Sequence, residues 1–554
     1  MAVATPSASL PGGAVLGAWS GPVAPAFGED ELVGAARRIR ERAHVVVDPT
    51  SGRYGVATGG QLVGDPPDPV PGSTGTWPVL AVLPPTYPEW LGDRSFNEAH
   101  GTRFAYVSGA MANGIATTRL VIEMARTGCL GFFGAAGLEL SRVAAAVDEL
   151  IAELGTDGPA WGCNLIHSPQ EPQLEHAVAE LYLERGVRRV SAAAFMSLTP
   201  AIVRYAYTGV RRDADGSVRR PNAVFAKLSR PEVARRFLHP APGAMLDALV
   251  RDGRLTADEA ALARTLPVAE DVTVESDSGG HTDNRPLAPL FASIARVRDD
   301  AVAEHGYTRP IRLGAAGGMG TPAALAAAYA LGAAYVLTGT VNQACVESGL
   351  SDAGRRMLAQ ADLADVTMAP AADMFEMGVD LQVLQRGTMF GARARKLRAL
   401  YVRRRDLDAL DATERAEVEA ILGTTVEDSW AATREFWLER GPDQVELAER
   451  DPRHLMALVF RSYLGLSSRW AIEGTDRPLD YQIWCGPAMG AFNAWTAGSF
   501  LADPENRRVA QVARNLLEGA AALTRAHQLR TFGVPVPPAA FEHRPRPLDT
   551  AIDR

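Results

Sequence analysis

Eight short apolar runs recurring between residues 104 and 339 constrain this chain more than any other feature. They are FAYVSGA (104–110), LGFFGA (130–135), AWGCNLI (160–166), RVSAAAF (189–195), AVFAKLS (223–229), DVTVESD (271–277), PIRLGAA (310–316) and AYVLTG (334–339). Continuous apolar character suits strands covered on both faces, as in a parallel sheet. The segments between them read as amphipathic helices. Val143, Val147, Leu150, Ile151 and Leu154 share one helical face, and so do Leu174, Val178, Leu181 and Tyr182. Thr321-Pro322 reads as an N-cap followed by proline at the first helical position, and Gly332 as a stop. Eight βα units predict an α/β fold closed into a (β/α)8 TIM barrel. An open doubly wound sheet is the rival, and it fits eight units less well.

The barrel is expected over 99–375. Before it come a flexible N-terminus, 1–27, and a small leading module, 28–98, with a helix-like ELVGAARRIRERA and short β-like pieces. YTGVRRDADGSVRRPN, ahead of the fifth strand, reads as a surface hairpin around Asp215-Gly216. Residues 230–267 read as a helical insertion after that strand, either a lid or pocket wall at the site or plain decoration. Beyond 375 the alternation stops, which predicts a helical C-terminal domain over 376–540. The proline-rich end, 541–554, reads as a loose tail.

A formal net charge of −9 over 554 residues argues against general nucleic-acid binding. Cys129, Cys163, Cys345 and Cys485 lie far apart and form no CxxC, so they read as reduced thiols. The N-terminus is a poor signal peptide, and no run reaches membrane-span length. A cytoplasmic location away from membranes is the expectation.

The chemistry gathers at strand ends. In GAAGGMGTPAALAAAYALGA a strand runs into Gly317-Gly318 and a helix starts after Thr321, while Gly339-Thr340 end the next strand. Glycines let backbone approach an anion, and free N–H groups at a helix start bind phosphate. Loops after the seventh and eighth barrel strands frequently form a phosphate site. The spacing predicts a phosphorylated ligand held by Gly317, Gly318, Gly339 and Thr340. No Gly-Lys-Ser/Thr occurs, which excludes a P-loop, and no HExxH, metal-spaced cluster or GxSxG is present. No metal is expected. GAMANG, ending the first strand, offers small residues and Met111 to a flat ring. Asn164 and Lys227 are polar residues in apolar runs and need partners. Asn164 can meet a neighbouring loop or a ligand; Lys227 can pair with Glu275 on the next strand or reach the ligand. The ligand is favoured for both. His167 either faces the pocket or caps a loop.

GAMANG, GFFGAAG, CNLI, ESDSGGH, GAAGGMGTP and TGT occur in the same order in the flavin-binding barrels of the nitronate monooxygenase superfamily. NLIHSPQEP, LTPAIVRY, DSGGHTDNRPL, GTVNQACVESG, APAADMFEMGV, LGLSSRW and DYQIWCGPAMGAFN more closely resemble the trans-acting enoyl reductases of polyketide and polyunsaturated fatty acid synthases, over about residues 100–530. The resemblance implies FMN as cofactor and NADPH, or NADH, as reductant. It also implies an enoyl thioester on an acyl carrier protein as substrate. Another FMN oxidoreductase of the nitronate monooxygenase type is the alternative. A flavin-free scaffold and a phosphosugar-type barrel are weaker readings. By resemblance Ala110, Met111 and Ala112 lie beside the isoalloxazine, Asn164 and Lys227 contact the cofactor, and the glycine pairs hold its phosphate. Gly279 and Gly280 leave room for ring and substrate, and His281 is the catalytic residue, polarising the thioester carbonyl or protonating the α-carbon. Asp283, Asn284 and Arg285 are weaker candidates. RARKLRALYVRRR, 393–405, reads as a solvated helix face or as a dock for an acidic carrier protein.

Overall fold

The computed structural model describes residues 15–64, 75–168 and 171–550. Eight parallel strands close into a barrel: Tyr106–Ser108, Leu130–Phe133, Trp161–Ile166, Arg189–Ala193, Ala223–Leu228, Asp271–Glu275, Arg312–Ala316 and Tyr335–Thr338, the last pairing with the first. Each lies inside one of the apolar runs. The expected helix follows the seventh strand as Pro322–Ala330, with the Thr321 hydroxyl accepting from Ala324 N at 3.3 Å. The expected hairpin pairs Arg211–Arg212 with Val218–Arg219.

Strand parity decides which side chains fill the barrel. Val107, Phe132, Phe225, Ala316, Tyr335 and Leu337 form one enclosed cluster with Phe96. Their neighbours Val224, Ala226 and Leu228 join the larger cluster beneath the surrounding helices. Inside, Phe225 meets Phe132 at 5.1 Å and Tyr335 at 5.7 Å between ring centroids, and Tyr335 Oη lies 2.7 Å from Thr273 Oγ1. Two residues further along their strands, the same parity aims Asn164, Lys227 and Glu275 into the upper end of the barrel.

The regions flanking the barrel differ from expectation in three places, and the helical insertion after the fifth strand forms where it was expected. The leading module starts earlier than 28. Gly17–Ser20 is a strand in a five-stranded antiparallel sheet, between Thr76–Leu83 and Gln61–Val63, and Trp19 is fully buried. Residues 1–14 lie outside the described residues. The insertion after the fifth strand forms helices Pro231–Leu238, Gly243–Arg251 and Ala257–Ala263. The last two pack on the outer wall: Arg254 meets Glu180 at 3.1 Å, and Gly209 N donates to Glu259 at 2.5 Å. This segment buttresses the barrel and is no lid.

The C-terminal region is helical as expected, apart from one strand at its start that pairs with a strand just before it. Val366–Pro370 and Asp380–Leu384 are antiparallel strands. Helices between Phe390 and Glu473 then build a separate core around Phe375, Phe390, Leu397, Val418, Phe460 and Tyr463. The final helix, Val509–Thr531, returns to the barrel. It crosses Pro322–Ala330 so closely that a Cβ on Gly519 would lie 2.5 Å from the Pro322 ring. Its buried Arg525 reaches the leading module, donating to Thr86 Oγ1 at 3.1 Å.

The tail is held rather than loose over its described part. Asn515 exchanges hydrogen bonds with the Arg546 backbone at 2.9 Å in each direction, and Trp495 Nε1 donates to His543 O at 2.6 Å. Burial pushes the His543 imidazole down to about 4. The unfolded chain takes up this proton near pH 6.5, the folded one only near 4, so the tail's contribution is complete above about 6.5 and falls between those values. A His543→Gln variant should lose part of the decline in melting temperature between pH 7 and pH 4.5; an unchanged decline would show that His543 does not couple to docking.

No helix among the described residues is long and apolar enough to cross a membrane. All four cysteines are free and buried. Burial raises the Cys129 and Cys485 thiols to about 12, which removes them as nucleophiles at neutral pH.

Candidate active site

The loops after the seventh and eighth strands form an open cradle. Gly317 and Gly318 have φ of +82° and +71°, a conformation glycine adopts at no steric cost. A Cβ on Gly317 would lie 2.6 Å from the Ser276 carbonyl and 2.7 Å from that of Asp277, so this glycine lets the sixth and seventh loops touch. Gly318 and Gly339 behave differently: a Cβ on either would meet nothing within 4 Å. Among the described residues, the N–H groups of Gly317, Gly318, Gly339 and Thr340 have no hydrogen-bond acceptor. Unpaired donors around open space are what a phosphate group needs.

Asn164 and Lys227 both use the partners that were weighed against a ligand. Asn164 Oδ1 accepts from Ala135 N at 2.7 Å and Ala136 N at 3.2 Å, fixing the loop after the second strand. Its Nδ2 has no acceptor among the described residues and is the part left for a ligand. Lys227 Nζ pairs with Glu275, whose other oxygen accepts from Ser278 Oγ at 3.1 Å. In this state the lysine's charge is answered by protein. Ala110 and Ala112 are half-buried and Met111 is buried. The backbone at Met111 passes so near the second loop that a Cβ on Gly134 would fall 1.7 Å from its carbonyl oxygen.

Gly279, the first glycine after the sixth strand, has a different use from the one expected. A Cβ on Gly279 would lie 2.8 Å from Cys485 N, so Gly279 makes room for a distant stretch of this chain rather than for a ring. Gly280, at φ +84°, turns the chain into a short strand, Gly280–His281, which pairs antiparallel with Asp380–Leu384. His281 is exposed at the rim, with Nε2 3.2 Å from Asp373 Oδ1.

Three further residues pin this loop. Asp277 accepts from Gln382 Nε2 at 2.8 Å and from Asn284 Nδ2 at 2.9 Å. Asp283 accepts from Ser229 Oγ at 2.6 Å and from Arg230 Nε and Nη2 at 2.9 Å. The Arg230 hydrogen bonds hold the Asp283 carboxyl down to about 2, so the clamp is charged at any working pH. Asp283 and Asn284 therefore brace the loop, and Asn284 does so at φ +49°. The Arg285 contribution is its carbonyl, which accepts from Asp277 N at 3.0 Å.

The sequence reading missed what covers the rim. Residues 484–490 cross the ends of the sixth, seventh and eighth strands. Trp484 bridges to Val383, Gly486 N donates to Thr340 Oγ1 at 3.4 Å, and Ala488 lies where a Cβ on Gly320 would be 2.3 Å from its carbonyl. From the helix Pro452–Glu473, Ser468 Oγ accepts from Asn113 Nδ2 at 3.3 Å, tying down the first loop. The signal was present in the glycines of WCGPAMG, each set against backbone from elsewhere. A Gly486→Ala change places a Cβ 2.8 Å from Gly279 N. Overpacking of this kind costs about 1–3 kcal/mol. It should lower the melting temperature and weaken ligand retention together; an unaltered protein would contradict the covering role.

The basic stretch 393–405 is largely neutralised within the fold. Arg393 pairs with Asp480, Lys396 with Glu417, Arg403 and Arg404 with Glu414, and Arg405 with Asp406. Arg398 stacks on Phe375 at 4.5 Å. This favours the ordinary helix face over a docking patch. His167 sits 2.8 Å from the buried carboxylate of Glu175 and stacks on Phe195 at 5.4 Å, which ties together the third and fourth loops.

Fold and site together define a barrel of the enzyme-bearing kind, with its polar and glycine-rich residues gathered where the parallel strands end. A family model described as "Nitronate monooxygenase" matches residues 96–386, and one described as "[Acyl-carrier-protein] S-malonyltransferase, inserted helical domain" matches 405–481. The chain belongs to the nitronate monooxygenase family, in its branch of enoyl reductases of polyketide and polyunsaturated fatty acid synthases. It is 46% identical over 468 residues to a component of the polyunsaturated fatty acid synthase of Thraustochytrium sp. (strain ATCC 26185 / S-3), covering 82% of this chain and 31% of that one. Over 437 residues it is 42% identical to polyketide biosynthesis protein PksE of Bacillus subtilis (strain 168), covering 78% and 56%. The chain thus spans about a third to about half the length of these two relatives. The crystal structure of the enoyl reductase domain of MlnA, from the macrolactin biosynthesis cluster of Bacillus amyloliquefaciens, superposes with a TM-score of 0.76 at 33% identity, covering 80% of this chain and 99% of that one.

Proposed function

We propose that this protein is an FMN-dependent enoyl reductase that saturates the α,β-double bond of enoyl thioesters carried on an acyl carrier protein. The observation that carries the reading is the cradle of unpaired N–H groups at Gly317, Gly318, Gly339 and Thr340, in a chain related over most of its length to an enoyl reductase domain. These residues fit a flavin phosphate. Bound FMN supplies a hydride, accepted from NADPH or NADH and delivered to the β-carbon of the thioester. Ala110, Met111 and Ala112 offer the ring a small, apolar edge, and Asn164 Nδ2 a donor. Lys227 answers the ligand's charge if it leaves Glu275.

His281 is the acid of this scheme. Held by Asp373, it donates toward the thioester carbonyl as negative charge develops there, or delivers the proton to the α-carbon. Asp277, Asp283 and Asn284 keep its loop in place. The cover formed by residues 484–490 limits water at the reacting centre.

Turnover of a crotonyl thioester with NADPH, compared with oxygen uptake on a nitroalkane, tests the proposal. Reduction of the thioester is the expected result. Nitroalkane oxidation without thioester reduction would place the chain with the nitronate-type oxidases of its family.

A further inference from the structure

A second charged site lies at the opposite end of the barrel, where the strands begin. A cavity of about 80 Å³ opens there between the starts of the fourth and fifth strands. A water needs roughly 10–15 Å³ on this measure, so there is room for an ion of several heavy atoms. Five arginines line or border it: Arg188, Arg189, Arg220, Arg309 and Arg312.

Among the described residues, two carboxylates answer them. Asp271 takes Arg312 in a two-pronged pair at 2.6 and 2.8 Å and also meets His100 at 3.1 Å. Glu270 takes Arg309 through Nε and Nη2. Both acids are spent within the protein. Arg220 is held by carbonyls, among them Ala206 and Pro267. Arg189 donates to His100 O at 2.9 Å, and Arg188, exposed at the mouth, reaches Asn222 Oδ1 only at 3.5 Å. Burial pulls the Arg189 guanidinium below its usual range, and Asp271, already bound to Arg312 and His100, offsets this only in part. His100 adds no acid, and burial likewise lowers it. Five guanidiniums thus share one small cavity with two carboxylates, a surplus of positive charge that an entering anion would offset. Planar guanidinium forks match tetrahedral oxyanions, and Arg188 and Arg189 retain N–H groups for one.

We propose that this cavity binds a phosphoryl group, either free phosphate or the end of a phosphate ester, remote from the flavin site and independent of it. The test is calorimetric titration of sodium phosphate into flavin-loaded protein freed of excess FMN by gel filtration, at constant ionic strength set with chloride. The bound flavin keeps the ion from the glycine cradle, and no free phosphate ester competes at the arginines. One phosphate per chain is expected. Arg188→Gln, a substitution at an exposed position, should weaken it at least about tenfold while leaving thioester reduction and the flavin spectrum unchanged. Glycerol 2-phosphate in place of phosphate separates the sources: binding of both assigns an ester end, and binding of phosphate alone assigns the free ion. Equal heats for phosphate and chloride, or equal phosphate affinity in both proteins, would overturn the proposal.

Discussion

Gly318→Asp should purify without flavin and fail to take it up. A Cβ at this position meets nothing within 4 Å, so the new side chain does not disturb packing. At φ +71° aspartate is among the better tolerated non-glycine residues. What changes is charge: a carboxylate stands where the cradle of N–H groups awaits a phosphate. Two like charges about 4 Å apart repel by about 4 kcal/mol at the effective dielectric of a protein surface. That corresponds to a loss of roughly a thousandfold in affinity. Fluorescence titration with FMN, alongside a melting curve showing an intact fold, checks it. Tight flavin binding by a well-folded Gly318→Asp protein would remove the phosphate from this loop.

The second large effect is expected at His281. His281→Ala should lower kcat by about a hundredfold, within the range usual for loss of a positioned acid or an oxyanion donor. Flavin content and the rate of flavin reduction by NADPH should stay near those of the parent, because His281 stands at the rim and not in the cradle. That separation marks a role in the second half-reaction. Single-turnover oxidation of pre-reduced enzyme by a crotonyl thioester reads it directly. If the variant oxidises at the parental rate, His281 is a loop residue and the proton comes from elsewhere.

The reading of the sequence succeeded where the signal is local. Each barrel strand is a continuous apolar run because both its faces are covered, and Thr321-Pro322 states its own helix start. The glycines of the seventh and eighth loops were legible for the same reason, since a positive φ or an open N–H group belongs to a few consecutive residues. What was not legible depends on partners far along the chain. Lys227 and Glu275 lie on adjacent strands, and nothing in either run decides between each other and a ligand. Gly279 is a glycine because Cys485 passes over it, and no pattern near Gly279 says so. The strand at Gly17–Ser20 is short and flanked by glycine and proline, so only its place between two other strands makes it one. The last helix and tail hide their docking because buried polar residues such as Asn515 and Arg525 read as surface.

The account rests on a flavin held at the upper end of the barrel and used on an enoyl thioester. The most direct measurement is an anaerobic absorbance record of the purified protein supplied with FMN, followed through addition of NADPH and then of an enoyl thioester on its carrier protein. The account predicts a bound-flavin spectrum, bleaching by NADPH, and return of the oxidised spectrum with one saturated thioester formed per flavin. A protein that stays colourless after FMN and dialysis, or a reduced flavin that the thioester leaves untouched, would contradict it.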